Sequence, residues 1–113
     1  MKNAPWTKEL PFAITVCDKD GRILVMNDKS IKTFEKYGGQ QLIGQSLFAC
    51  HQGDAAEKLT SVLGSGKVNC YTIEKAGIKK MIYQSPWFEN GIYMGFVELS
   101  LELPPEVPHF VRS

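Results

Sequence analysis

Few residues in this chain have side chains suited to metal, redox or nucleophilic chemistry, and two of them are adjacent: Cys50 and His51, in the segment SLFACHQG. A neutral imidazole can hold a haem iron, and a thiolate can act as nucleophile, metal ligand or redox sensor. The surroundings argue against most of these roles. Cys17, Cys50 and Cys70 form no CxxC or CxxCH pattern, and no second ligand type stands at a supporting spacing, so no metal site is expected. Three is an odd count that closes no disulfide framework, and reduced thiols packing as small hydrophobes are the expectation. A lone loop histidine is more often solvated or structurally hydrogen-bonded than a ligand, and that reading of His51 is preferred over haem ligation.

Catalytic constellations are missing too. No nucleophile stands with a base, no carboxylate pair marks a cleft, and GSGK at residues 64–67 lacks the spacing of a phosphate loop and follows a helix pattern instead of a strand. The chain is therefore not expected to be an enzyme.

Composition narrows the partners. Thirteen Lys and Arg against twelve Asp and Glu leave a net charge of +1, which gives no field to attract nucleic acid or an anionic membrane. No apolar run approaches the ~18 residues of a membrane span, and MKNAPWTKEL lacks the apolar core of a signal peptide, so a cytoplasmic location is expected. At 113 residues and 43% hydrophobic, the chain suits one folded domain, with an arm over residues 1–11, a body over 12–103 and a Pro-rich tail over 104–113.

The elements that would position these residues follow from period and punctuation. FAITVCD and RILVMN flank DKDG turn chemistry and predict a hairpin. Asn27 or Asp28 caps a helix that carries Ile31 and Phe34 on one face and ends at Gly38-Gly39. A short helical turn around residues 41–43 precedes Gly44, and no regular element fits SLFACHQG. Asp54 with Glu57 resembles a capping box; Ala55, Leu59, Val62 and Leu63 then share a face, and Gly64 is expected to close that helix near Leu63. Strands NCYTIEK, KKMIYQSPW and IYMGFVELSLEL follow, separated by Ala76-Gly77 and Asn90-Gly91. In the last strand Val97, Leu99 and Leu101 alternate with Glu98, Ser100 and Glu102, the pattern of one buried and one wetter face.

This order, with the D-x-D-G turn at Asp18, Asp20 and Gly21, RILVMN ending at Asn27, LIG at residues 42–44, and Ser85-Pro86, Asn90-Gly91 and Gly95, resembles the PAS family of sensory domains across residues 12–103. The resemblance implies an α+β fold: a five-stranded antiparallel sheet with short helices packed on one face and a cavity between them. It also implies a module that senses a ligand, light or redox state, or that dimerises. The reactive cysteine of the light-sensing flavin branch follows a glycine in the same segment. Here Leu47 holds the third position after Gly44 and Cys50 is displaced, so flavin is disfavoured and haem through His51 is the cofactor left to consider. Many members continue into a signalling helix, whereas LELPPEVPHF breaks at once, so a free-standing sensor or adaptor is expected.

Phe48, Leu59, Val62, Tyr71 and Ile73 are candidate cavity lining alongside His51, and a stripe of this kind is more often plain core. The late hairpin leaves two registers open. With Asn90-Gly91 as a two-residue turn, Gln84 faces Val97 and Ile82 faces Leu99, all on the cavity side, and Gln84 would orient a ligand. With a three-residue loop and a bulge at Gly91, Met81 and Tyr83 turn inward instead. The aromatic set Trp6, Trp87, Phe88 and Tyr93 suggests an outer-face patch for a homodimer. The expected function is a sensory module that binds a small ligand or cofactor and signals through dimer or partner contacts. The alternatives are a structural dimerisation or adaptor domain without ligand and, behind both, a small α+β enzyme.

Overall fold

A computed structural model of the chain describes residues 4–49 and 53–113. The first hairpin joins β1 (Ala13–Asp18) to β2 (Ile23–Met26). Its turn is tied by Asp18, whose Oδ1 accepts the backbone N–H groups of Asp20 and Arg22, each at 2.9 Å. This is the local bonding for which short acidic side chains are selected in turns.

Asn27 ends the hairpin and starts α1 (Asp28–Thr33). Its side chain is saturated: Oδ1 accepts the N–H groups of Ile14 and Ser30, and Nδ2 donates to the carbonyls of Thr7 and Phe12. One buried amide thus caps the helix, closes the strand pair and holds the N-terminal arm, which carries a 3-10 turn at Pro5–Thr7. Further 3-10 turns at Glu35–Tyr37, Gly39–Leu42 and Leu47–Ala49 lead toward α2 (Asp54–Ser65). Two expectations for α2 are corrected. Asp54 lies inside the first turn and no side chain caps the start. The helix also runs past Gly64 to Gly66, whose left-handed φ of 64° ends it. Ser65 allows the extension, its hydroxyl donating to the Val62 carbonyl and accepting the Lys67 N–H.

β3 (Asn69–Lys75), β4 (Ile78–Glu89) and β5 (Ile92–Leu103) complete a five-stranded sheet in the order β2-β1-β5-β4-β3, every adjacent pair antiparallel. The first and last strands in sequence are central neighbours, and the helices cover one face. Ile23, Met26 and Leu42 form one buried cluster under Ile31, Phe34 and Leu47; Cys17, Leu63 and Phe96 form a second under Leu59 and Val62. Among the described residues no helix is long and apolar enough to cross a membrane.

The β4–β5 hairpin settles the register. Glu89 pairs with Ile92 around the two-residue turn Asn90-Gly91, both at positive φ (52° and 79°). Beyond it, Phe88 pairs with Tyr93 but Trp87 pairs with Gly95, leaving Met94 as an extra residue on β5. That single insertion flips every later β5 residue to the opposite face. Gln84 consequently faces Glu98 and Ile82 faces Ser100, so the expected pairings of Gln84 with Val97 and Ile82 with Leu99 are corrected. Gly95 makes the bulge feasible: at φ 151° it passes so close to β1 that a Cβ would strike the Cys17 carbonyl oxygen. The Trp87 indole lies across the strand from it and donates to that carbonyl at 3.0 Å.

Candidate ligand cleft between the second helix and the sheet

The register sets one line of residues straight across the helix-covered face. Asn69 on β3 stands opposite Gln84 on β4, Gln84 opposite Glu98 on β5, and Glu98 opposite Thr15 on β1. Their side chains bond in sequence: Asn69 Nδ2 donates to Gln84 Oε1 at 2.8 Å, and Gln84 Nε2 donates to Glu98 Oε1 at 2.7 Å. At the far end the Thr15 hydroxyl is bonded to that of Ser30, which is wholly buried. Four strands therefore place polar groups where a packed sheet usually places Val or Ile.

Space opens on both sides of this row. Toward β1 and β2 lies a small apolar cavity of about 50 Å³, lined by Cys17, Ile23, Met26, Leu42, Leu63 and Phe96 among others, with Thr15, Gln84 and Glu98 as its polar wall. Toward β3 an open cleft of about 520 Å³ runs between Lys58, Leu59, Ser61 and Val62 of α2 and Asn69, Tyr71, Gln84 and Glu98 of the sheet. Leu59, Val62, Gln84 and Glu98 border both, so the row lies between an apolar recess and an open, more polar cleft. The cleft falls within the range of small-molecule sites, whereas the recess alone has room for only a water or two.

Burial raises the Cys17 thiol above its ordinary pKa, and the nearby charges of Asp18 and Glu98 push the same way, while a backbone hydrogen bond from Phe96 partly opposes them. Burial also raises the Tyr71 hydroxyl, with the Glu98 charge adding to it. Tyr93 is raised by burial; its hydroxyl donates to the Leu63 carbonyl at 2.8 Å and its ring meets Phe96 edge-on at 5.9 Å.

Of the residues expected at the site, the structure brings Leu59, Val62, Gln84 and Tyr71 to the cleft. Ile82 is buried on the face that carries Gln84, two residues away along β4. Ile73 sits farther along β3, opposite Lys80 and 40% exposed. Phe48 packs beside Gly21 at the first hairpin turn. Val97 and Leu99 occupy the opposite face of the sheet, turned there by the bulge at Met94. Cys50 and His51 lie outside the described residues. Among the described residues no group of His, Cys, Asp and Glu could hold a metal ion.

Glu98, Asn69, Lys58 and Ser61 were not anticipated. Simple alternation along β5 puts Glu98 on the wetter face, and the bulge at Met94 brings it to the helix-covered face. The signal that could have found it is Gly95, a glycine inside a strand, the residue that marks a bulge or close backbone approach. In the aromatic set, Tyr93 turns to the helix face, Trp87 covers Gly95, and Trp6 and Phe88 stay 73% and 56% exposed.

No protein-family model matches the chain, and no curated protein matches it. Solved structures do. A C-terminal domain from Streptococcus mutans superposes with a TM-score of 0.71 at 18% identity, covering 88% of this chain and 81% of that one. The Aer2 receptor of Vibrio cholerae, described as a dual PAS-haem oxygen sensor, gives 0.62 at 12% identity over 82% of this chain and 95% of its own. The PAS domain of an HTR-like protein from Haloarcula marismortui gives 0.61 at 17% identity over 86% and 85%. With the antiparallel order β2-β1-β5-β4-β3 and short helices on one face, the chain has a PAS-like fold.

Proposed function

We propose that the chain is a sensory module which binds a small ligand in the cleft between α2 and the Asn69-Gln84-Glu98 row and passes its occupancy to a partner through the opposite face of the sheet. The open cleft and the apolar recess, which share Leu59, Val62, Gln84 and Glu98 as walls, support this reading above any other feature. Domains of this fold are typically sensory, and the reading assigns no turnover to the chain.

The outer face supplies the second half. Ile14, Val97, Leu99 and Leu101 stand there only half-buried, with Tyr83 38% exposed beside them. A run of this kind on a sheet surface suits a second copy of the chain or a signalling protein, and the homodimer is our reading. Ligand binding and dimer contact would then share β4 and β5, one on each face, so a shift in the tilt of either strand is felt on both.

Haem fits poorly. Aer2 is described as a PAS-haem oxygen sensor, but the interior recess here, at about 50 Å³, is far smaller than a porphyrin, and its lining among the described residues contains no histidine. Leu47, at the place where the flavin branch has its cysteine, packs against both core clusters.

Native mass spectrometry of the protein as isolated tests the reading. The expected spectrum shows a dimer carrying a co-purified compound of a few hundred daltons, lost from a Gln84→Leu variant. An empty monomer at micromolar concentration in both would remove it.

A further inference from the structure

The direction of the hydrogen bonds across the row constrains what the cleft can bind. An ionised carboxylate can only accept, so Glu98 forces Gln84 to present its Nε2 inward along β5; Gln84 Oε1 is then left facing β3, and it forces Asn69 to present Nδ2. Each amide nitrogen keeps one N–H, and the groups beside them include the second carboxylate oxygen of Glu98 and the Oδ1 of Asn69. The one formal charge on the row is therefore negative, so a cationic donor is favoured there and an anion is repelled by Glu98.

Glu98 is half-buried and, among the described residues, accepts one side-chain hydrogen bond, from Gln84. Among the described residues its carboxylate has no cation within ion-pair distance: Lys29 pairs with Glu102 and Lys8 with Asp28. A carboxylate drawn partly out of water without a counter-charge is costly unless one arrives. Lys58 borders the cleft, but it is exposed, so its charge is largely screened by solvent. Tyr71, one pair along β3, adds an aromatic ring to the same wall, and a ring beside a carboxylate is a common cradle for a nitrogen cation.

Resting on the reading of the cleft as a ligand site, we infer that its ligand is a small organic cation whose ammonium or amidinium group meets Glu98, Asn69 and Tyr71 and whose apolar end points into the recess behind Gln84. The recess of about 50 Å³ admits a methyl group or the edge of a ring, and the remainder of the molecule lies in the cleft along Leu59 and Val62.

The test uses three compounds of nearly equal shape: benzylammonium, benzyl alcohol and benzoate. Each is titrated into the full chain while the side-chain amide signals of Asn69 and Gln84 and the backbone signals of Leu59 and Val62 are followed by NMR. Benzylammonium should move these signals with at least tenfold higher affinity than benzyl alcohol, and benzoate should leave them in place. Glu98→Gln keeps an acceptor for Gln84 while removing the charge; its spectrum should remain that of a folded chain, its affinity for benzylammonium should fall at least tenfold, and its response to benzyl alcohol should persist. Equal affinity for the alcohol, tighter binding of benzoate, no movement with any of the three, or undiminished binding of benzylammonium to Glu98→Gln each overturns the inference. The cleft reading fails separately: a neutral or anionic compound co-purified in the native mass spectrum sinks the cation and keeps the cleft, whereas an empty protein that no compound perturbs there sinks both.

Discussion

The two halves of the sheet meet the helices in opposite ways. Around β1, β2 and α1 the buried polar groups are spent on holding the fold: Asn27 makes four side-chain hydrogen bonds, Thr15 and Ser30 satisfy each other, and Ile23, Met26 and Leu42 pack closely enough to leave only the recess of about 50 Å³. Around β3, β4 and α2 the polar groups face outward into an open cleft, Tyr71 and Ile73 are over a third exposed, and α2 starts without a side-chain cap. Buried polar networks that are fully satisfied rigidify a structure, while regions with few apolar contacts and exposed backbone bonds open first. The contrast assigns stability to one half and ligand response to the other.

The largest blow to the rigid half should come at the point where it touches β5. Gly95→Ala places a methyl group against the Cys17 carbonyl, and because the obstacle is backbone, neither strand can yield cheaply. A loss of about 4 kcal/mol in urea unfolding is expected, enough to abolish folding in a marginal domain. Asn27→Ala comes next: it strips partners from Ile14, Ser30, Thr7 and Phe12 together, and about 3 kcal/mol should be lost in the same experiment. Gln84→Leu, at a half-buried amide in the other half, should cost no more than about 1 kcal/mol, since water in the cleft can replace its bonds. If Gln84→Leu destabilised the chain as much as Asn27→Ala, the contrast between the halves would be lost.

The smallest effect concerns Cys17, whose thiol is raised by burial, so the folded chain holds its proton more tightly than the unfolded one. Such a group contributes stability that is whole below the unfolded value and shrinks as pH climbs through the folded one. The stability difference between the native chain and Cys17→Ala, about 1 kcal/mol, should therefore stay level through neutral pH and narrow only above about pH 8.5, the ordinary thiol value. A difference that narrows between pH 6 and 7.5 would mean that the thiol ionises at neutral pH in the folded chain.

Much of the fold was legible in the residues. The strand segments, the turns at Asp18–Gly21, Ala76-Gly77 and Asn90-Gly91, and the helix start at Asn27 are set by local chemistry, and local chemistry is what a sequence displays. The candidate site was legible only in part. Leu59 and Val62 follow from helical period, but β4 leaves two inner faces open, Gln84 with Ile82 or Met81 with Tyr83, and the facing strand departs from simple alternation. One unpaired residue, Met94, reverses the faces of nine residues after it, 95–103, and a bulge answers to the approach of β1, a strand some eighty positions earlier. Asp54 shows the same limit on a smaller scale: its spacing to Glu57 fits a cap, yet the chain enters α2 through Gly53 at a positive φ of 60°.

Hydrogen exchange can compare the two halves in a single run. The protein as isolated is set beside the same protein unfolded and refolded to strip small molecules, and amides are followed across the chain. If the cleft is the ligand site, stripping should speed exchange in α2 and β3 by tenfold or more and leave β1, β2 and α1 as they were. Identical exchange in both preparations, or a change confined to β1 and α1, would contradict it.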